Sequence, residues 1–157
     1  VCFSKGLGAP YGSLLMGSED VINKARKFRL WLGGGVHQAG MQAAGAYYAL
    51  QHNLQRLKED HELAQYFAQE LLQIPEITLK DTAVETNIVQ FSLNSLNIDT
   101  DRFLEECTQQ GLYLFPWLPT VIRAVIHRHI TQENLDQAIS TIKEIVLHKS
   151  KKLGLGR

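Results

Sequence analysis

A long helical pattern in the middle of the chain is the feature that most constrains its fold. Apolar positions recur there with alternating steps of four and three residues, which is the spacing of one helix face. These positions are Leu50, Leu54, Leu57, His61, Ala64, Ala68 and Leu71, with His61 as the polar exception. From Ala39 to Ala49 small residues occupy nearly every side, which suits close packing against another backbone. We therefore predict one helix over residues 38–73, and its length indicates a connector between two domains.

A glycine-rich loop and a shorter helix precede this pattern. Residues 4–17 contain four glycines, which favour turns and left-handed backbone rather than a regular helix. Ser18 is then a suitable N-cap, with two acidic residues following it, and the glycines at 33–35 end the predicted helix. The chain begins at Val1, within what reads as the end of a strand, so we expect that the protein contains further residues before it.

Beyond Pro75 the apolar spacing changes from helical to a mixture of strands and short helices. Strands are predicted at residues 77–79, 88–93, 112–115 and 121–127. One helix is predicted with Asp99 or Thr100 as its cap and Gly111 at its end, and another is predicted after its cap, Thr131. The order β-β-α-β-β-α is typical of a small α+β domain in which helices cover one side of an antiparallel sheet.

Composition and charge exclude several classes of protein. The 157 residues are 45% apolar and 20% charged, and their formal net charge is zero. Such a balance gives no reason to expect a nucleic-acid or membrane partner, and no apolar run is long enough to span a bilayer. Cys2 and Cys107 form no disulfide framework, so we expect a reducing, cytoplasmic location.

Lys5 is the first residue that could carry chemistry. It follows three residues of a predicted strand and begins the glycine-rich loop, where a side chain can project into a cleft. A lysine whose pKa falls from about 10.4 through burial or a neighbouring cation can form a Schiff base. From spacing alone, a solvated surface lysine is the simpler interpretation. The loop matches neither a Walker A motif nor GxGxxG, so no nucleotide site is predicted.

The residues around Lys5 resemble those of a known enzyme family. The run FSKGLGAPYGS at residues 3–13 resembles the cofactor-lysine segment of low-specificity L-threonine aldolases. Similar residues follow in the expected order over nearly the whole chain, at 18–40, 57–61, 86–87 and 123–127. The resemblance implies that Lys5 binds pyridoxal 5′-phosphate (PLP) and is the catalytic lysine.

Arg123 is the second candidate residue. It lies on a predicted strand, and side chains that alternate along a strand put Val125 and His127 on the same face. A planar guanidinium can hold a carboxylate with two parallel hydrogen bonds. The resemblance implies that Arg123 binds the substrate carboxylate, while the alternative is an exposed arginine paired with a surface acid. The spacing of His127 and His129 does not predict a metal site.

The resemblance also implies a fold and a reaction for the whole protein. The chain is similar to α/β PLP enzymes of fold type I, and it would be the C-terminal part of one. Residues 1–39 would end the large PLP-binding domain, 40–73 would form the connecting helix, and 74–157 the small α+β domain with its antiparallel sheet. The implied reaction cleaves L-threonine and allo-threonine to glycine and acetaldehyde, for glycine biosynthesis, in a homotetramer. We expect this chain alone to be inactive.

Two other interpretations stay open from the sequence. The first is another fold-type-I PLP enzyme that resembles serine hydroxymethyltransferase or an aminotransferase. Release of glycine and acetaldehyde without a folate or keto-acid partner would distinguish the aldolase from both. The second is a truncated, non-catalytic chain that acts only through its helical surface, which would show no cofactor absorbance and no cleavage.

Overall fold

The chain divides after Leu57 into two units, Val1–Leu57 and Lys58–Arg157. A computed structural model describes residues 1–81, 83–93 and 99–152. The first unit contains α1 (Glu19–Trp31) and α2 (Gly40–His52). The elements that follow are α3 (Leu57–Leu71), β1 (Thr78–Leu79), β2 (Ile88–Ser92), α4 (Thr100–Gln109), β3 (Phe115–Leu118), β4 (Val121–Val125) and α5 (Gln132–Lys152). The predicted domain division at residues 39 and 73 stays a prediction.

Helix α1 begins and ends where the sequence predicts. Ser18 is its N-cap residue, although its side chain makes no capping hydrogen bond. At the other end Gly33 has a φ of 73°, which is the left-handed conformation that glycine adopts most readily. Gly34 N–H donates to Arg29 O at 2.7 Å and Gly33 N–H to Leu30 O at 3.2 Å, which is the hydrogen-bond pattern of a Schellman motif. No residue of α1 is buried within this chain.

The single helix predicted over residues 38–73 is wrong, because the structure has two helices there. Helix α2 ends at His52 and α3 begins at Leu57. Asn53 is the C-cap residue of α2, and its Nδ2 donates to the carbonyl oxygen of Leu7 at 2.7 Å. These two residues lie 46 positions apart in the chain. The apolar spacing therefore contains no information about the contact that accompanies the end of α2.

The second unit is built on an antiparallel sheet with strand order β1-β2-β4-β3. The predicted order β-β-α-β-β-α is confirmed. Val89 pairs with Ala124 and Phe91 with Ile122, and these four side chains are buried in one core. Residues of α3, α4 and α5 complete that core, namely Ala64, Phe67, Leu71, Phe103, Cys107, Leu135, Ile139, Ile142 and Val146. One face of the sheet therefore packs against the helices, as predicted.

Strand β3 lies three residues later than predicted. The expected strand ended at residue 115, before Pro116, but the observed strand runs from Phe115 to Leu118. Pro116 lacks the N–H that a strand interior needs. Because β3 is an edge strand, the missing N–H faces no further strand, and proline is tolerated at such positions. The pairing with β4 shifts between Pro116 and Leu118, where β3 contains an irregularity.

The ends of α4 and α5 follow local sequence signals. Asp99 is the N-cap of α4 and accepts a hydrogen bond from Asp101 N–H at 3.1 Å. Gly111, with a φ of 81°, follows its C-terminal end. Thr131 and Asn134 cap α5 reciprocally, since each side chain accepts a hydrogen bond from the other residue's N–H. None of the described helices is both long enough and apolar enough to cross a membrane.

Candidate functional site

The glycine-rich segment around Lys5 is an ordered loop held by its own backbone. Cys2 and Ser13 form an antiparallel bridge at its base, and Phe3 N–H donates to Gly12 O at 2.9 Å. Within the loop Gly8 N–H donates to Lys5 O at 2.8 Å, and Gly8 has a φ of 72°. A residue with a Cβ would be strained there. Lys5 thus begins a closed turn, so the position of its backbone is defined.

The loop packs on the small residues of α2. Phe3, Leu7 and Ala9 are buried with Ala46 and Ala49, and together they form the core of the first unit. The sequence predicted that the small residues from Ala39 to Ala49 would allow close backbone packing. At Gly45 an added Cβ would come within 3.0 Å of Pro10 Cδ, so only glycine allows this separation without a shift. Ala43 and Ala44 are exposed in this chain, so the packing uses one side of the helix.

Lys5 itself is exposed, while Phe3 and Leu7 on either side of it are buried. Its amine makes no hydrogen bond or ion pair with another described residue. Cys2 lies nearby, and its Sγ is 3.3 Å from Ser4 Oγ. The hydrogen bond from Ser4 lowers the pKa of the Cys2 thiol, and the charge of Lys5 contributes a smaller effect in the same direction. The arrangement presents an exposed lysine amine on a loop that is closed by backbone hydrogen bonds.

Arg123 occupies the middle of β4, on the face of the sheet opposite the core. Its neighbours Ile122 and Ala124 are in the core, so the alternation of strand side chains directs Arg123 the other way. The Nε atom of Arg123 is buried and has no hydrogen-bond partner among the described residues. A buried donor without a partner is uncommon in native structures. The Nε donor is therefore available to an acceptor such as a water or a ligand, and no described carboxylate contacts it.

Two neighbours of Arg123 were not predicted from the sequence. The guanidinium of Arg123 lies over the ring of Trp117, with 4.8 Å between Arg123 Cζ and the ring centroid. On the other side Gln90 of β2 is in register with Arg123, and its Oε1 accepts a hydrogen bond from Lys80 Nζ at 3.2 Å. Trp117 lay outside the predicted strand because Pro116 was taken to end it. The available signal was that Trp117 lies two residues after Phe115, which is the spacing of side chains on one face of a strand.

The two predicted site residues belong to different units. Lys5 lies in the first and Arg123 in the second, so the surroundings of each are described separately. Their assigned roles stay predictions. Within the ranges that the structure describes, no group of three or more His, Cys, Asp or Glu side chains could hold a metal ion. His127 and His129 contact each other, with ring centroids 5.7 Å apart.

Proteins of known structure share the fold of this chain. A candidate L-allo-threonine aldolase from Listeria monocytogenes EGD-E matches with a TM-score of 0.71 and 17% identity, over 92% of this chain and 43% of its own. A C-DES mutant with glycine covalently linked to the PLP cofactor matches with a TM-score of 0.57 and 20% identity, over 69% of this chain and 30% of its own. At these identities the likeness concerns the fold alone, and it confirms the predicted fold class.

Relatives found by sequence share more identical residues with this chain than these solved structures do. The chain is 36% identical over 148 residues to low-specificity L-threonine aldolase 1 of Arabidopsis thaliana, which covers 94% of this chain and 41% of that protein. It thus spans about two fifths of this relative. The family described as beta-eliminating lyase matches residues 1–94, which include the Lys5 loop and both helices of the first unit. Because that match covers more than half of the sequence, the chain belongs to the beta-eliminating lyase family.

Proposed function

We propose that the protein carrying this chain is a PLP-dependent lyase that cleaves L-threonine and allo-threonine to glycine and acetaldehyde. Its family and the aldolase name of its Arabidopsis relative support this proposal. The observation that carries it is the family match over residues 1–94, which includes Lys5 on a loop that is closed by hydrogen bonds.

The residues present fit the cofactor. Lys5 would hold it covalently through Nζ, since this amine is accessible and engaged in no ion pair with a described residue. Once bound, PLP supplies an electron sink for the bond that breaks at the Cα of the amino acid. The buried contacts of Phe3 and Leu7 hold the loop, so they limit the positions that the lysine can reach. Because the backbone of Lys5 is held, less orientational freedom is lost when its amine reacts.

Arg123 would bind the carboxylate of the amino-acid substrate. Two parallel N–H donors of a guanidinium match the two oxygens of a carboxylate, and its buried, unpartnered Nε is available for such a bond. A carboxylate held in this way fixes the orientation of the attached Cα. Arg123 therefore contributes to substrate binding and orientation rather than to proton transfer.

We further propose a cytoplasmic homotetramer as the working form, with a role in glycine biosynthesis. The exposed apolar side chains of α1, including Phe28, Leu30 and Trp31, call for a covering surface, which a second subunit or the rest of the protein would provide, since this chain spans about two fifths of its Arabidopsis relative. The balanced charge and the cysteine content support the location.

Substitution of Lys5 tests the cofactor role in the full-length protein. Lys5→Ala should abolish threonine cleavage and remove the visible absorbance of bound cofactor, because no other amine takes its place on the loop. Lys24→Ala, at an exposed position of α1, is the matched control and should retain both. Near-normal cleavage by Lys5→Ala would exclude the role.

Acetaldehyde and glycine must form without folate or a keto acid, and release of ammonia instead would indicate β-elimination.

Substitution of Arg123 tests the carboxylate role. Arg123→Ala should raise KM for threonine by about 10- to 100-fold, since hydrogen bonds to charged groups contribute about 1.5–3 kcal/mol. Arg123→Lys should restore binding only in part, because an ammonium lacks the two-pronged geometry. Arg102→Ala, at an exposed position of α4, serves as the control. An unchanged KM in Arg123→Ala would show that another residue binds the carboxylate.

A further inference from the structure

We propose that Trp117 is a positioning residue for Arg123, whose indole ring holds the guanidinium plane while leaving its N–H donors free for a carboxylate. The inference rests on the proposed function, because it deepens the substrate-binding role of Arg123. It starts from the distance of 4.8 Å between Arg123 Cζ and the centroid of the Trp117 ring, which lies within the range of cation–π contacts.

The edge strand places the indole ring on the arginine face. Phe115 pairs with Arg123, Pro116 with Ile122, and Leu118 with Val121. Between the last two pairs β3 advances by two residues while β4 advances by one, so Trp117 is the additional residue of a bulge. A bulge redirects a side chain relative to the regular pleat. Phe115 lies on the Arg123 face, and alternation along the strand puts Trp117 on that face as well. At this bulge the guanidinium of Arg123 lies over the Trp117 ring, and Trp117 stays 50% exposed.

An aromatic ring over the guanidinium leaves the N–H donors of the arginine available, whereas an ion pair occupies them. A carboxylate partner would occupy the same N–H groups that a substrate carboxylate needs, and it would neutralise the charge. An aromatic ring interacts with the face of the guanidinium, whereas the donors lie in the plane at its edge. Arg123 makes no ion pair within the described part of the chain. Trp117 can therefore restrict the arginine without competing with the substrate.

The opposite side of Arg123 is polar and itself fixed. Gln90 lies across from Arg123 on β2, and the bond from Lys80 Nζ to Gln90 Oε1 orients its amide. Neither Lys80 nor Gln90 offers a carboxylate. Among the described residues, Trp117 is the aromatic residue over whose ring the guanidinium lies, which makes it the residue to test.

The test combines kinetics and binding in the full-length protein. Trp117→Ala should raise KM for L-threonine by about two- to fivefold with kcat changed less, a size set by exposed cation–π contacts. Trp117→Phe should restore most of the lost binding because it keeps an aromatic face. Tyr113→Ala is the matched control, since Tyr113 is 75% exposed and lies shortly before β3, and it should leave KM unchanged.

A double-mutant cycle separates positioning from general structural support. If Trp117 acts only through Arg123, Trp117→Ala should have no further effect on binding in the Arg123→Ala background. Fully additive effects, or an unchanged KM in Trp117→Ala, would overturn the proposal.

Calorimetric titration with glycine measures carboxylate binding independently of cleavage. Absence of threonine cleavage by the unmodified protein, with glycine binding weakened by both substitutions, would contradict the aldolase function and support the positioning role. Weakening by Arg123→Ala alone would overturn only the role of Trp117. If neither substitution weakens binding, the positioning role and the carboxylate role of Arg123 are both wrong.

Discussion

At the scale of single residues, the two cysteines of this chain occupy opposite environments. Cys2 is exposed, and its hydrogen bond with Ser4 lowers the pKa of the thiol. Cys107 is fully buried in the core of the second unit, and burial raises the pKa of its thiol to about 12. Because the thiolate is the reactive form, the two side chains should differ both in access and in the fraction that can react.

We expect one fast and one slow reaction with a thiol-specific disulfide reagent. Cys2 should react rapidly, with a pH midpoint below that of a free cysteine, because a lowered pKa extends the thiolate to lower pH. Cys107 should react only when the second unit opens. Ser4→Ala should move the midpoint of Cys2 upward, while Ser18→Ala, which loses no side-chain cap bond, should leave it unchanged. Rapid reaction of Cys107 in the native protein would contradict its burial.

At the scale of elements, Asn53 connects the end of α2 to the lysine loop. Its side chain donates to Leu7 O at 2.7 Å, and Leu7 is buried in the core of the first unit. The Asn53 side chain therefore links the end of α2 to the lysine loop. The loop is also closely packed at Gly6, where an added Cβ would lie 2.7 Å from Leu57 Cδ2.

Asn53→Ala should loosen the loop around Lys5. Removal of one hydrogen bond that leaves a partly buried acceptor costs about 1 kcal/mol, which corresponds to about fivefold faster opening. Hydrogen–deuterium exchange of a peptide covering residues 1–15 measures this change. Gln55→Ala, in the same turn and exposed, is the control. Equal exchange in the two variants would show that the Asn53 contact does not stabilise the loop.

At the scale of the whole molecule, apolar side chains are distributed unevenly between the two units. The second unit has the larger core, whereas the described core of the first consists of Phe3, Leu7, Ala9, Ala46 and Ala49. No residue of α1 is buried in this chain, and Trp31 is 77% exposed. Monomeric proteins rarely expose large contiguous apolar patches. Because the chain spans about two fifths of its Arabidopsis relative, either the rest of the protein or another subunit would cover the surface of α1.

The 157-residue chain alone should associate with itself in a concentration-dependent way. Trp31→Glu should weaken that association, because a charge cannot be buried in an apolar interface without a partner. Sedimentation velocity over a range of concentrations measures the effect. Leu147→Glu replaces an apolar side chain of α5 that is 56% exposed and should change the association less. A chain that sediments as a monomer at every concentration would exclude this role for α1.

The sequence predicted part of the candidate site and little of its surroundings. Lys5 and Arg123 were both identified as candidates, through the glycine-rich loop, the strand spacing and the family resemblance. Trp117 and Gln90 were not, because their proximity to Arg123 depends on the register of β3 and β2 against β4. Register is a relation between strands, so the spacing within one strand does not contain it.

By itself the sequence determined the order of elements in the second unit and several helix ends. Those features depend on neighbouring residues, such as Asp99 as an N-cap, Thr131 with Asn134, and glycine after α1 and α4. Only the tertiary structure decided the break after His52 and the shift of β3. The hydrogen bond from Asn53 to Leu7 joins residues that are distant in the chain. Pro116 is tolerated because β3 lies at the edge of a sheet whose strands come from distant parts of the chain. Local spacing cannot encode them, because their energies arise only when the separate segments meet.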